Sequence, residues 1–176
     1  MQRLMPRQAT PALSVDTLDH GQWSLAEQSP QRFTLIVFYR GLHCPICKPY
    51  VRELDRQFTA FSELGVEAIV LSTDDAERAR QSQQDWGIKQ VPVGFGLSIE
   101  SAREWGLYIS SGRGKTSIGI EEPVLFNEPG LFLVSPDSTL YSASIQTMPF
   151  VRPRFEELLK ALETIIGRDY PARGEA

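Results

Sequence analysis

The 176-residue chain is poor in the residues that staple or cage a fold: two cysteines, two histidines and three methionines. Two cysteines allow at most one disulfide, so no disulfide framework can replace a hydrophobic core. A closed zinc site wants four ligands, which here would take both cysteines with His20 and His43. His43 is next to Cys44 in sequence and fits that geometry badly, so no metal is expected. No stretch approaches the roughly 18–20 apolar residues of a membrane span. Positive charge is scarce, with 18 Lys and Arg against 22 Asp and Glu and no basic run. Nucleic-acid binding therefore has little electrostatic support. The opening Met1-Gln2-Arg3-Leu4-Met5-Pro6-Arg7 is basic without an apolar stretch behind it, unlike a secretory signal. The expected setting is cytoplasmic and reducing, where a lone Cys-x-x-Cys reads as catalytic or metal-binding rather than as a standing disulfide. The apolar content suits one domain, residues 1–176, with a full core.

Both cysteines fall in Tyr39-Arg40-Gly41-Leu42-His43-Cys44-Pro45-Ile46-Cys47. The apolar run Phe33 to Phe38 comes directly before, and a helix-like stretch directly after. Backbone N–H groups and the positive end of a helix dipole stabilise a thiolate there, and the thiolate is the reactive form. A disulfide between them closes so small a ring that it restrains the unfolded chain little, so the pair reads as a redox switch. Covalent haem attachment would need His after the second cysteine, where Lys48 stands. No cofactor is implied.

Along the chain, Ala12 to Leu18 and Trp23 to Leu25 read as an N-terminal β-hairpin around Asp19-His20-Gly21-Gln22. Phe33 to Tyr39 reads as a strand buried on both faces. Tyr50, Val51, Leu54, Phe58 and Phe61 recur at helical spacing up to about Glu63, and Gly65 stops that helix. Val66 to Ser72 is a second buried strand, and Asp74-Asp75 suits the start of the next helix, which runs to about Trp86. Val91 to Leu97 is a broken strand, and Ser98 to Trp105 a short helix. Residues 108–129 read as a long loop in which Glu121 and Glu122 form a solvated face. Leu131 to Val134 and Thr139 to Ile145 form a hairpin. Pro153 opens a last helix with Phe155, Leu158, Leu159, Leu162 and Ile165 as its stripe. Residues 168–176 read as a frayed tail. Ser111-Gly112-Arg113-Gly114-Lys115-Thr116 fails as a phosphate loop because Ile109 stands where glycine is required.

Strands alternating with helices, then a hairpin and a closing helix, give an α/β sandwich with helices on both faces of a central sheet. With Cys-x-x-Cys at the first buried strand-to-helix junction, the order resembles the thioredoxin superfamily. Within it, Pro6 to Leu25, Phe38 to Cys47 and Gly130-Leu131-Phe132-Leu133-Val134-Ser135-Pro136-Asp137 resemble segments of the peroxiredoxin-like AhpC/TSA family. The resemblance implies a thioredoxin-like three-layer α/β/α sandwich with a mixed sheet. It also implies a thiol-dependent antioxidant oxidoreductase that reduces hydroperoxides, is recycled by a thioredoxin or glutathione system, and often forms homodimers. Arg152 falls where the family carries an active-site arginine. The family pattern P-x-x-x-T-x-x-C puts Cys47 at the peroxide-reacting position, Cys44 at the threonine and Arg40 at the proline, so Cys47 attacks peroxide and Cys44 resolves. A thioredoxin-type reading makes Cys44 the nucleophile of a disulfide reductase, with His43 in place of the usual tryptophan and Pro92 the nearest match to its cis-proline. A slowly cycling redox sensor or binding module would use the same two thiols.

Around the cysteines, Arg40 can lower a thiol pKa and hold a peroxide oxygen. His43 can tune the thiol or move protons, and Pro45 suits the start of a helix.

Overall fold

The computed structural model describes residues 4–176; the first three residues of the basic opening lie outside the described part. An N-terminal hairpin, β1 (Ser14–Thr17) and β2 (Gly21–Ser24), leads to β3 (Phe33–Phe38), α1 (Cys47–Glu63), β4 (Val66–Leu71), α2 (Ala76–Trp86), β5 (Val93–Phe95) and α3 (Ile99–Glu104). Then come β6 (Ile109–Ser111), β7 (Leu125–Asn127), β8 (Gly130–Val134), β9 (Leu140–Ile145) and α4 (Phe155–Gly167).

Seven strands form one mixed sheet in the order β2-β1-β5-β4-β3-β8-β9. β3, β4 and β5 run parallel, and β8 returns antiparallel beside β3. All six residues of β3 are buried, as its unbroken apolar run requires. Their alternation divides the core. Phe33, Leu35 and Val37 meet Val51, Leu54 and Phe61 of α1, Ala79 and Trp86 of α2, and Phe155 and Leu162 of α4. Ile36 and Phe38 face the other way, toward Ala102 of α3 with Trp105, Leu107 and Phe132. The result is the three-layer α/β/α sandwich implied by the sequence.

Phe38 is fully buried and edge-on to Phe132, with ring centroids 5.5 Å apart. Phe38→Ala should destabilise the fold by about 3–5 kcal/mol, because the layer cannot collapse to refill a ring-sized void. Urea unfolding would measure this; a loss under about 1 kcal/mol would mean the site repacks.

Four local readings are corrected. Residues 108–129 are not all loop, because β6 and β7 pair as a separate two-stranded sheet. Glu122 is not on a solvated face: it is half-buried and ion-paired with Arg40. The last helix opens at Phe155, so Arg152 lies in the segment before it. Residues 168–176, expected as a frayed tail, lie back over the molecule. Tyr141 Oη donates to the Tyr170 carbonyl at 2.9 Å, and Arg7 Nε donates to that of Ala172 at 3.1 Å.

Candidate active site

The site stands at the C-terminal end of β3. Gly41 has φ +131°, a conformation that side chains disfavour, and it turns the chain sharply after the strand. The Cys44 N–H donates to the Gly41 carbonyl and the Cys47 N–H to the Cys44 carbonyl, each at 3.1 Å. Two successive turns therefore carry the chain from Gly41 through Cys44 into the first residue of α1, Cys47. Pro45 sits exposed between the cysteines, where its missing N–H leaves no bond unmade. Both cysteines are reduced and buried, with relative exposures of 1% for Cys44 and 0% for Cys47.

Arg152 arrives from the far end of the sequence. Its Nη2 donates to Cys47 Sγ at 3.3 Å and to Cys44 Sγ at 3.7 Å. Its Nε donates to the Pro149 carbonyl at 2.9 Å, and its guanidinium lies 5.0 Å from the ring centre of Tyr50. Tyr50 Oη is tied to the Pro153 carbonyl at 2.9 Å, which anchors this segment on α1. Arg152 Nη1 is buried and has no partner among the described residues.

One cation facing two buried thiols favours a single shared negative charge. The Cys44 thiol is lowered to about 6, chiefly by the hydrogen bond from Cys47 and then by the charges of Arg152 and Arg40, which together outweigh burial. Cys47 is pushed well above the ordinary thiol value by its deeper burial and by donating to Cys44. The two shifts run in opposite directions, so the arrangement favours the negative charge on Cys44, with the Cys47 thiol and Arg152 beside it.

The other sequence candidates stand behind this pair. Arg40 touches neither sulfur. Its Nε lies 3.1 Å from Glu128 Oε2 and its Nη2 3.6 Å from Glu122 Oε1, and its guanidinium sits 4.8 Å from the Phe126 ring centre. It acts on Cys44 through space, and its charge helps to lower that thiol. His43 is fully buried, edge-on to Phe126 at 4.5 Å. Burial first, then the charges of Arg40 and Arg78, drop its pKa to about 3, so the ring is neutral at physiological pH. Its Nδ1 lies 3.5 Å from Arg78 Nη2. A guanidinium only donates, so Nδ1 is the acceptor. Among the described residues, no three His, Cys, Asp or Glu side chains gather as metal ligands, and no peptide bond is cis, including that before Pro92.

Several residues around the site were not singled out for it by the sequence. Glu122 and Glu128 hold Arg40. Asp74, read as a helix-start residue, instead accepts the Leu42 N–H at 2.7 Å, while Asp75 caps α2. Asn127, fully buried in β7, donates to the Tyr39 carbonyl at 3.0 Å and accepts the Thr73 N–H at 3.1 Å, seating the β6–β7 hairpin over the ends of β3 and β4. An acid or amide 30 to 90 residues from its partner leaves no local pattern to read.

No curated protein matches the chain. Solved structures that match include peroxiredoxins. Peroxiredoxin 6 of Arenicola marina superposes with a TM-score of 0.74 at 15% identity, covering 96% of this chain and 76% of the other. The mitochondrial 2-Cys peroxiredoxin of Plasmodium falciparum gives 0.74 at 14% identity, over 94% and 96%. Peroxidoxin BcpB of Mycobacterium tuberculosis gives 0.70 at 13% identity, over 93% and 99%. At such identities these structures speak for the fold. The family rests on the sequence, in which residues 6–143 match the AhpC/TSA family model. The chain therefore belongs to the AhpC/TSA family and is a peroxiredoxin-like thiol oxidoreductase.

Proposed function

We propose that the chain reduces hydroperoxides through a cycle that ends in a Cys44–Cys47 disulfide, with Cys44 as the first nucleophile. The observation that carries this reading is Arg152, whose Nη2 holds both sulfurs while the buried Nη1 beside it is left free to bind a peroxide oxygen. The Cys44 thiolate attacks one peroxide oxygen and the O–O bond breaks. Cys44 becomes a sulfenic acid, and the departing alkoxide or hydroxide takes up a proton. The Cys47 thiol then displaces water from the sulfenic acid to form the disulfide. An external dithiol returns both cysteines to thiols by exchange.

The sequence expectation gave the first attack to Cys47 and resolution to Cys44. The charge distribution favours the opposite order, because the thiolate is the nucleophile. The reading with Cys47 first draws on its shorter contact to Arg152, 3.3 Å, and on its place in the family pattern. It needs the Cys47 proton to pass to Cys44 before attack. Disulfide-reductase chemistry would use the same Cys44 thiolate, but burial of both cysteines to 1% exposure or less favours a small peroxide over a bulky disulfide. A thioredoxin or glutathione system as reductant, a cytoplasmic place in redox homeostasis and a homodimeric assembly complete the proposal.

Wild-type protein mixed with hydrogen peroxide or an alkyl hydroperoxide should consume one equivalent and form one intramolecular disulfide. With a thioredoxin or glutathione system present it should turn over. Reduction of a protein disulfide with no peroxide consumption would replace this reading with the disulfide-reductase one.

A further inference from the structure

We infer that Asp74 is a positioning residue for Cys44: its buried carboxylate, seated in the space that Gly41 leaves open, fixes the turn that delivers the Cys44 sulfur to Arg152. The inference rests on Cys44 being the reactive thiol of the proposed cycle.

The Asp74 side chain has no solvent exposure. One oxygen accepts the Leu42 N–H at 2.7 Å and the other the Arg78 Nε–H at 2.9 Å. A Cβ added to Gly41 would fall 2.7 Å from both carboxylate oxygens, so the acid occupies the volume that the glycine leaves free. The Gly41 carbonyl in turn accepts the Cys44 N–H. Carboxylate, Leu42 amide, Gly41 carbonyl and Cys44 amide thus form an unbroken chain of contacts from the end of β4 to the first sulfur. Arg78 strengthens it from the side, with Nη2 reaching His43 Nδ1 at 3.5 Å and the Glu121 carbonyl at 3.2 Å. A buried carboxylate is costly unless it is paired and hydrogen-bonded, and these two donors each satisfy one oxygen of Asp74.

Positioning and charge act on Cys44 with opposite signs. Removing a nearby negative charge favours the thiolate and lowers the thiol pKa. Letting the turn drift carries Cys44 Sγ away from Arg152 and Cys47, which raises it. The charged and titratable groups that set this balance are Arg152, Arg40 and Cys47. The experiment titrates reduced wild type, Asp74→Ala, Asp74→Asn and Gly41→Ala by thiolate ultraviolet absorbance, with an unfolding temperature for each. No peroxide is used, so the result is independent of whether the chain is a peroxidase. Asp74→Ala should raise the first thiol midpoint by about one pH unit, lowering the thiolate population about fivefold at the wild-type midpoint. Gly41→Ala keeps every charge but crowds the carboxylate, and should raise the midpoint in the same direction. Asp74→Asn keeps an acceptor for the Leu42 N–H and should fall between wild type and Asp74→Ala. A lowered midpoint in the Asp74 variants would make Asp74 a through-space charge, and an unchanged midpoint with only a lower unfolding temperature would make it a structural acid. Either result overturns the inference.

Discussion

Cys44→Ser should abolish the fast reaction with hydrogen peroxide, while Cys47→Ser should keep it and stop at the sulfenic acid. A serine hydroxyl at position 44 cannot ionise near neutrality, and loss of the nucleophile should slow oxidation on the order of a thousandfold or more. Serine at position 47 still offers an O–H to the Cys44 thiolate. It therefore preserves the hydrogen bond that does most to lower that thiol, while removing the sulfur that resolves. Cys47→Ala removes the donor as well, and its oxidation should need higher pH than that of Cys47→Ser. Stopped-flow mixing with peroxide, followed by mass spectrometry of a dimedone adduct, measures both rate and site. Fast sulfenic acid formation in Cys44→Ser would restore the order with Cys47 attacking first.

Arg152→Ala should have the next largest effect. Its guanidinium is the only cation that donates to either sulfur among the described residues. An opposite charge at this range typically shifts a pKa by about one to three units. In wild type the thiolate fraction, and with it the oxidation rate, should rise with pH through about 6 and level off above it. Without Arg152 the rise should move upward, toward the ordinary thiol value. For a two-unit shift the thiolate population at neutral pH falls about tenfold, and the loss of Nη1 removes a donor for the peroxide as well. Arg152→Lys keeps a charge but loses Nη1 and the rigid planar group that sets Nη2 against both sulfurs, so it should recover only part of the rate. A pH–rate profile for Arg152→Ala that overlays wild type would remove Arg152 from the chemistry.

What could be read in the sequence followed the range of the interaction involved. The β3 run of Phe33 to Phe38 announced a two-sided central strand, because six consecutive apolar residues have few other homes. The cysteine pair announced its own place, since a strand, a turn with Gly41 and a helix start are local patterns. Arg152 was legible only through the family resemblance, and its contact with both sulfurs was not legible at all. β6 and β7 escaped because three-residue strands among glycines and serines carry no alternation long enough to see. The Arg40–Glu122–Glu128 cluster and the Asp74 contact escaped for a related reason: each joins residues brought together only by the folded sheet. The order of attack hinges on a balance of burial and charge between sulfurs three residues apart, which no spacing encodes.

The central claim is that Cys44 carries the resting thiolate. Alkylation of the reduced wild-type protein by a limiting amount of iodoacetamide, followed across pH with fragment-ion mapping of the adduct, tests it most directly. The first adduct should form on Cys44, with a rate that rises through a midpoint near 6. A first adduct on Cys47, or a midpoint in the ordinary range of a free thiol, would contradict it.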